Sequence, residues 1–199
     1  MAAKKKLVTP VGGLRWVFID GEGKESLNGD MRYVASVRFK NDSPELAAVV
    51  AQIEEFWVEN KPKEAKKCAT NGIRLEEVDG EETGYSLVNM WTGTAFPDGK
   101  AQVVNVYNAK GQKVNLKGKR IGNESEGALS GTMGVYSQKP NFGVVLFLGG
   151  VQVTKFKEYE GGDGFEAADG DFDGVDGEGE FNQVEEADDD VPNHPSVAL

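Results

Sequence analysis

Between Met31 and Lys40 the chain alternates. Met31, Tyr33, Ala35, Val37 and Phe39 are apolar or aromatic, and Arg32, Val34, Ser36, Arg38 and Lys40 fill the positions between them. A period of two belongs to a β-strand with one face on a core, and here the other face carries three cations. Upstream, Leu14 to Asp20 holds Trp16, Val17, Phe18 and Ile19, an aromatic and β-branched run that reads as the first strand. After Asn41 the period changes. Ser43-Pro44-Glu45 supplies a hydroxyl N-cap, a proline at the first helical position and an acid in the first turn. Leu46, Val49, Val50, Ile53 and Phe56 or Trp57 then recur at the spacing of an amphipathic helix, which Pro62 interrupts. Lys61, Lys63, Lys66 and Lys67 are expected on a second short helix ending near Asn71-Gly72.

Past Gly72 the signals are again β: Ile73 to Val78, Tyr85 to Thr94, Ala101 to Tyr107, Leu129 to Tyr136 and Val144 to Phe156. Pro97-Asp98-Gly99 and Asn108-Ala109-Lys110-Gly111 have the composition of hairpin turns, and Gly149-Gly150 inside the last run predicts a bulge or a sharp bend. Short strands with one helix inserted among them suit a mainly β fold, a small closed or partly open barrel.

Charge divides the chain. The net charge of -11 averages two unlike parts. Glu158 to Leu199 has 15 acidic residues and no Lys or Arg, whereas residues 1–157 hold 22 basic and 18 acidic residues, a net of +4. The last 42 residues contain seven glycines and only eight Leu, Ile, Val or Phe, below the roughly 20% that a packed core needs. We therefore expect a folded domain over 1–157 and a disordered acidic tail over 158–199. A basic body beside an acidic tail points to a polyanion site and a segment that regulates it. One cysteine, Cys68, leaves no intrachain disulfide and fits a reducing, cytoplasmic compartment. The basic start has no apolar stretch behind it, so neither a secretory leader nor a membrane span is expected.

Chemistry narrows next. The one histidine, His194, lies between Asn193 and Pro195 near the end, which excludes His-based acid/base catalysis and multi-His metal sites. Carboxylate pairs such as Glu76-Glu77 and Glu81-Glu82 fall on opposite faces of a strand and do not converge. No enzyme and no cofactor is expected. Aromatic residues fare better. Trp57 on the helix and Tyr33 on the apolar strand face are expected in the core. Tyr85, Trp91, Tyr107 and Tyr136 lie on or beside strands, with Lys100, Lys113 and Lys139 near them in sequence. Flat rings on which bases stack, together with cations that follow phosphates, are what single-strand binding requires. The candidate contacts are therefore Arg32, Arg38, Lys40, Tyr85, Trp91, Lys100, Tyr107, Lys113, Tyr136 and Lys139.

In the tail, Asp169, Asp171, Asp173, Gly174 and Glu180 occupy positions 1, 3, 5, 6 and 12 of a calcium-binding EF-hand loop. The Gly-rich run before it cannot form an entering helix, and position 8, usually apolar, is Asp176. A chance match in a segment built of Asp, Glu and Gly is the simpler account, and Asp169, Asp171, Asp173 and Glu180 stand only as a weak metal candidate.

The stretch Val103 to Gly111, then Ile121-Gly122-Asn123-Glu124-Ser125-Glu126-Gly127, then Gly134-Val135-Tyr136, then Gly143 to Tyr159 running into the acidic tail, resembles the single-stranded DNA-binding proteins of tailed bacteriophages. The resemblance implies an OB-fold-like five-stranded barrel with extra strands, one or two inserted helices and an acidic C-terminal tail. It implies binding of single-stranded DNA with little sequence preference, in replication, recombination and repair within the infected host cytoplasm. It also implies that the tail recruits the phage DNA polymerase and primase-helicase. Tyr136 falls where that family places a DNA-contacting aromatic. Tails of the family commonly end in an aromatic residue, whereas this chain ends Ser196-Val197-Ala198-Leu199. Phe165, Phe172 and Phe181, with Asp188, Asp189 and Asp190, are the partner-binding candidates instead. Two other readings stay open: a calcium-responsive protein working through Asp169 to Glu180, and an acidic inhibitor that mimics DNA. Whether the body forms a homodimer is also open.

Overall fold

The strand that alternates most clearly, Met31–Lys40, is paired with neighbouring strands along both edges, and Ala35, Val37 and Phe39 are buried on one side of it. The computed structural model describes residues 4–26 and 28–159. Among these, the strands are β1 (Lys4–Val8), β2 (Gly12–Phe18), β3 (Lys24–Glu25), β4 (Met31–Lys40), β5 (Ile73–Val78), β6 (Glu81–Gly93), β7 (Asn105–Tyr107), β8 (Lys113–Val114), β9 (Glu126–Gln138) and β10 (Asn141–Lys155). One helix, α1 (Pro44–Asn60), is inserted between β4 and β5. Neighbouring strands run β9-β2-β4-β6-β10, and β10 pairs back onto β9, which closes a five-stranded barrel. β1, β3, β5 and β7 are attached to its strands, and β8 pairs with β7. The fold is mainly β, as the pattern predicts, and OB-fold-like, as the resemblance implies.

Inside, Leu14, Val37, Val88, Met90, Leu129, Met133, Val144 and Leu146 form the core, and α1 joins it through Leu46, Val49, Ile53, Phe56 and Trp57. The Ser43 hydroxyl accepts the Leu46 N–H at 3.2 Å, so the cap read from the sequence is formed. At the other end Lys61 turns extended and gives its N–H to the Trp57 carbonyl at 2.8 Å. Tyr33 packs against the same core and donates its hydroxyl to the Gly21 carbonyl at 3.1 Å. No described helix is long and apolar enough to cross a membrane.

Three expectations need correction. The first strand is not Leu14 to Asp20: β1 precedes it, its backbone pairing residue for residue with Gly134 to Ser130, although only Leu7 of its side chains is buried. β1 and β2 follow the same edge of β9, separated by Thr9-Pro10-Val11. The second helix does not form. Ala69 donates to the Phe142 carbonyl at 2.7 Å and Val144 donates to the Thr70 carbonyl at 2.8 Å, so tertiary pairing with β10 draws this segment out. That pairing is close enough to demand glycine at 143, where a Cβ would stand 2.2 Å from the Thr70 carbonyl oxygen. Finally, the strand expected over Ala101 to Tyr107 is shortened to Asn105–Tyr107, because the residues before it close the turn at Pro97-Asp98-Gly99 through Gln102 N–H to Thr94 O. The bend at Gly149-Gly150 is present as a register shift between Leu148 and Gly150 opposite β9.

Candidate nucleic-acid interface

The register of β4 on β6 decides what faces outward. Arg32 is opposite Gly93, Val34 opposite Trp91, Ser36 opposite Asn89, Arg38 opposite Leu87 and Lys40 opposite Tyr85. These pairs alternate with the core pairs Ala35–Met90 and Val37–Val88, so they share the outer face. Ser36 and Asn89 bond across it at 3.0 Å. On β10, Phe147 is opposite Trp91, their rings 5.7 Å apart at 61°.

The neighbouring strand β2 adds two residues where strict alternation allows one. Its pairing with β4 slips between Arg15 and Phe18, and Trp16 takes φ +48°. At this bulge Arg15 and Trp16 both lie outside before Val17 returns to the core. The Trp16 N–H, freed from the ladder, donates to Asn123 Oδ1 at 2.9 Å. Trp16 is 37% exposed, high for an indole.

Cations sit on these rings. The Arg32 guanidinium is 4.1 Å from the Trp91 ring centre, Arg38 is 3.5 Å from Tyr85, Arg74 is 5.0 Å from Trp16, and the Lys24 ammonium is 5.4 Å from Phe18. One groove runs among Trp16, Lys24, Arg32, Arg74 and Trp91; a second runs from Arg32 and Trp91 to Tyr136 and Val145. They share Arg32, Asn89 and Trp91, so together they form one path across the face.

The ion pairs on this face differ. Arg32 reaches Asp30 at 3.1 Å, and that carboxylate is 67% exposed. Arg38 gives both Nε (2.8 Å) and Nη2 (2.6 Å) to one oxygen of Glu76, whose side chain is only 7% exposed. The Thr83 hydroxyl donates to the same oxygen at 2.6 Å. Burial alone would push the Glu76 carboxyl up, yet the bonds from Thr83 and Arg38 hold it below the ordinary glutamate value. Burial, and after it the nearby Arg38 charge, lowers the Arg15 guanidinium.

Of the residues singled out in the sequence, Arg32, Arg38, Lys40, Tyr85 and Trp91 stand together on the outer face, and Tyr136 lines the groove beyond Trp91. Its hydroxyl donates to Gln138 Oε1 at 2.7 Å. Lys139, 3.6 Å from Glu64, lines a further groove with Lys66 and Lys67 that shares Ala69 and Asn141 with the Tyr136 groove. Lys100 pairs with Asp98 in the exposed turn after β6. Tyr107 and Lys113 face each other across β7 and β8, beside Gly150 to Gln152 of β10, and neither lines the groove around Trp91. Sequence reasoning missed Arg15, Trp16, Phe18, Lys24, Arg74 and Phe147. Arg74 and Phe147 do carry a period-two signal; the outward turn of Trp16 has none, because it depends on the bulge. No group of three or more His, Cys, Asp or Glu among the described residues is arranged to hold a metal ion. The loop of Asp169, Asp171, Asp173 and Glu180 lies outside the described residues, as do Phe165, Phe172, Phe181 and Asp188 to Asp190.

No protein-family model and no curated protein sequence matches the chain. Its fold is that of phage single-stranded DNA-binding proteins of known structure. The single-stranded DNA-binding protein gp2.5 of bacteriophage T7 superposes with a TM-score of 0.54 at 17% identity, over 81% of this chain and 92% of that one. The single-stranded DNA-binding protein of bacteriophage Enc34, in complex with single-stranded DNA, superposes with a TM-score of 0.58 at 14% identity, over 78% of this chain and 89% of that one.

Proposed function

We propose that this protein binds single-stranded DNA, stoichiometrically and with little sequence preference, along the path from Trp16 past Trp91 to Tyr136. The observation that carries this is the set of cation-capped aromatic rings on one continuous outer face. Bases stack on rings whatever their sequence, each stack contributing about 1–3 kcal/mol, while arginines and lysines hold the phosphates. Likeness of fold to the phage proteins supports the reading. From Tyr136 the strand continues toward Lys139. The residues past 159 act as a tethered polyanion that competes for the same face and, when DNA displaces it, engages basic surfaces of replication partners such as a polymerase or primase-helicase. The setting this implies is DNA replication, recombination and repair in an infected cell.

Tryptophan fluorescence tests the reading. Trp16 and Trp91 line the path while Trp57 is buried in the core, so one buried reporter serves as an internal control. Titration with oligo(dT) is expected to quench Trp16 and Trp91, and duplex of equal length to leave them unchanged. Trp91→Ala should weaken oligo(dT) binding by about 1–3 kcal/mol. No response to the single strand would sink the proposal.

A further inference from the structure

The arginines of this face are not electrostatic equals, and the difference assigns them separate tasks. Arg38 sits at the centre, opposite Gly13 of β2 on one side and Leu87 of β6 on the other, with Arg74 of β5 opposite the same Leu87. Its charge is cancelled where it stands. Glu76 reaches it from a register shift between Leu75 and Glu77 that turns this one carboxylate of β5 inward, while Leu75 and Glu77 stay exposed. Hydrogen bonds from Arg38 Nε and the Thr83 hydroxyl, and an ion-pair contact from Arg38 Nη2, converge on one Glu76 oxygen. A phosphate arriving at Arg38 would have to take its partner away and leave a buried carboxylate unpaired, an outcome that desolvation penalises heavily. The guanidinium plane is also occupied, by the Tyr85 ring at 3.5 Å.

Arg15 and Arg74 are in the opposite condition. Among the described residues neither has a carboxylate within ion-pair distance. The Arg15 guanidinium lies beside Gly13 and gives one N–H to the Leu14 carbonyl at 2.9 Å. Its other donors have no hydrogen-bond partner among the described residues. Arg74 lies over the exposed Trp16 ring in the groove. Glu76 acts on Arg15 in the direction opposite to Arg38, raising the guanidinium that burial and the Arg38 charge lower.

We propose that Arg15 and Arg74 are phosphate-binding cations of this face, and that Glu76 is a positioning residue whose ion pair with Arg38 offsets that charge and holds the guanidinium against the Tyr85 ring. This rests on the single-strand reading above and sharpens it by naming which charges meet the phosphates. Each phosphate contact to a single strand contributes about 0.7 to the slope of log affinity against log salt. The test is that slope, measured for the full chain with oligo(dT). Arg15→Met and Arg74→Met are each expected to flatten it by about 0.7. Glu76→Gln, which keeps an acceptor but frees the Arg38 charge, should steepen it by about the same amount. The paired replacement Arg38→Met with Glu76→Met exchanges one neutral pair for another and avoids stranding a buried carboxylate. It should leave the slope unchanged and lower affinity equally at every salt concentration. Unchanged slopes for Arg15→Met and Arg74→Met, an unchanged slope for Glu76→Gln, or a flattened slope in the paired variant would each overturn the assignment. A wild-type chain that ignores oligo(dT) would overturn the parent reading with it.

Discussion

At the scale of single residues, Glu76 couples stability to pH. A free glutamate titrates near 4.5, and in the folded chain Glu76 lies lower. Its bonds to Arg38 and Thr83 are therefore fully present above the unfolded value and are lost as pH falls through the folded one. The melting temperature of the full chain should accordingly fall on acidification below about pH 4.5 by more in wild type than in Glu76→Gln. Calorimetric scans of both across that range check it, and equal falls would remove Glu76 as the cause. Nothing in the sequence announced this residue. Glu76 was visible there as one of an adjacent pair of acids, and adjacency on a regular strand suggested opposite faces without showing that a bulge buries one beneath an arginine. Arg32, Arg38 and Lys40, by contrast, were placed on the outer face by alternation alone, because β4 keeps its register on β6 without interruption.

Elements were legible where local signals and tertiary packing agree. α1 has its cap, its proline and its apolar stripe, and all are used. The basic stretch after it was misread because Lys63 to Lys67 are good helix formers, whereas pairing of Ala69 and Thr70 with β10 offers the backbone a better arrangement. The close approach at Gly143 makes that arrangement testable. Gly143→Ala pushes a methyl against the Thr70 backbone, which should destabilise the chain by about 1–3 kcal/mol in urea unfolding. Because Ala69 and Thr70 also wall the groove at Tyr136, oligo(dT) affinity should fall with it. Wild-type stability would mean that the segment moves aside at no cost. β1 escaped detection for a related reason: what holds it is main-chain pairing with β9, and three lysines give no apolar alternation to read.

For the whole molecule, the decisive arrangement is where the described chain ends. Glu158 bridges to Ile121, Tyr159 donates its N–H to the Arg120 carbonyl at 2.9 Å, and the Lys119 ammonium meets Glu158. Tyr159 thus shares a cleft with Trp16 and Phe18, at one end of the proposed DNA path. Removing residues 160–199 takes away 14 acidic side chains while leaving these contacts in place. If the removed stretch competes with DNA, affinity for oligo(dT) should rise at low salt and converge with that of the full chain as salt screens both. Unchanged or weaker binding on filter or fluorescence titration would count against competition.

β1 has a second consequence, for encounters between copies. Its backbone covers Ser130 to Gly134 of β9, and its own outer edge carries the side chains of Lys4, Lys5 and Lys6. A bare sheet edge is a template on which another chain can add a strand, and a row of like charges is one of the plainest ways to forbid it. Lys4 and Lys6 stand exposed along this strand, and Lys5 between them is paired with Glu55 at 2.7 Å. Against a second copy of this sheet they would oppose pairing edge to edge.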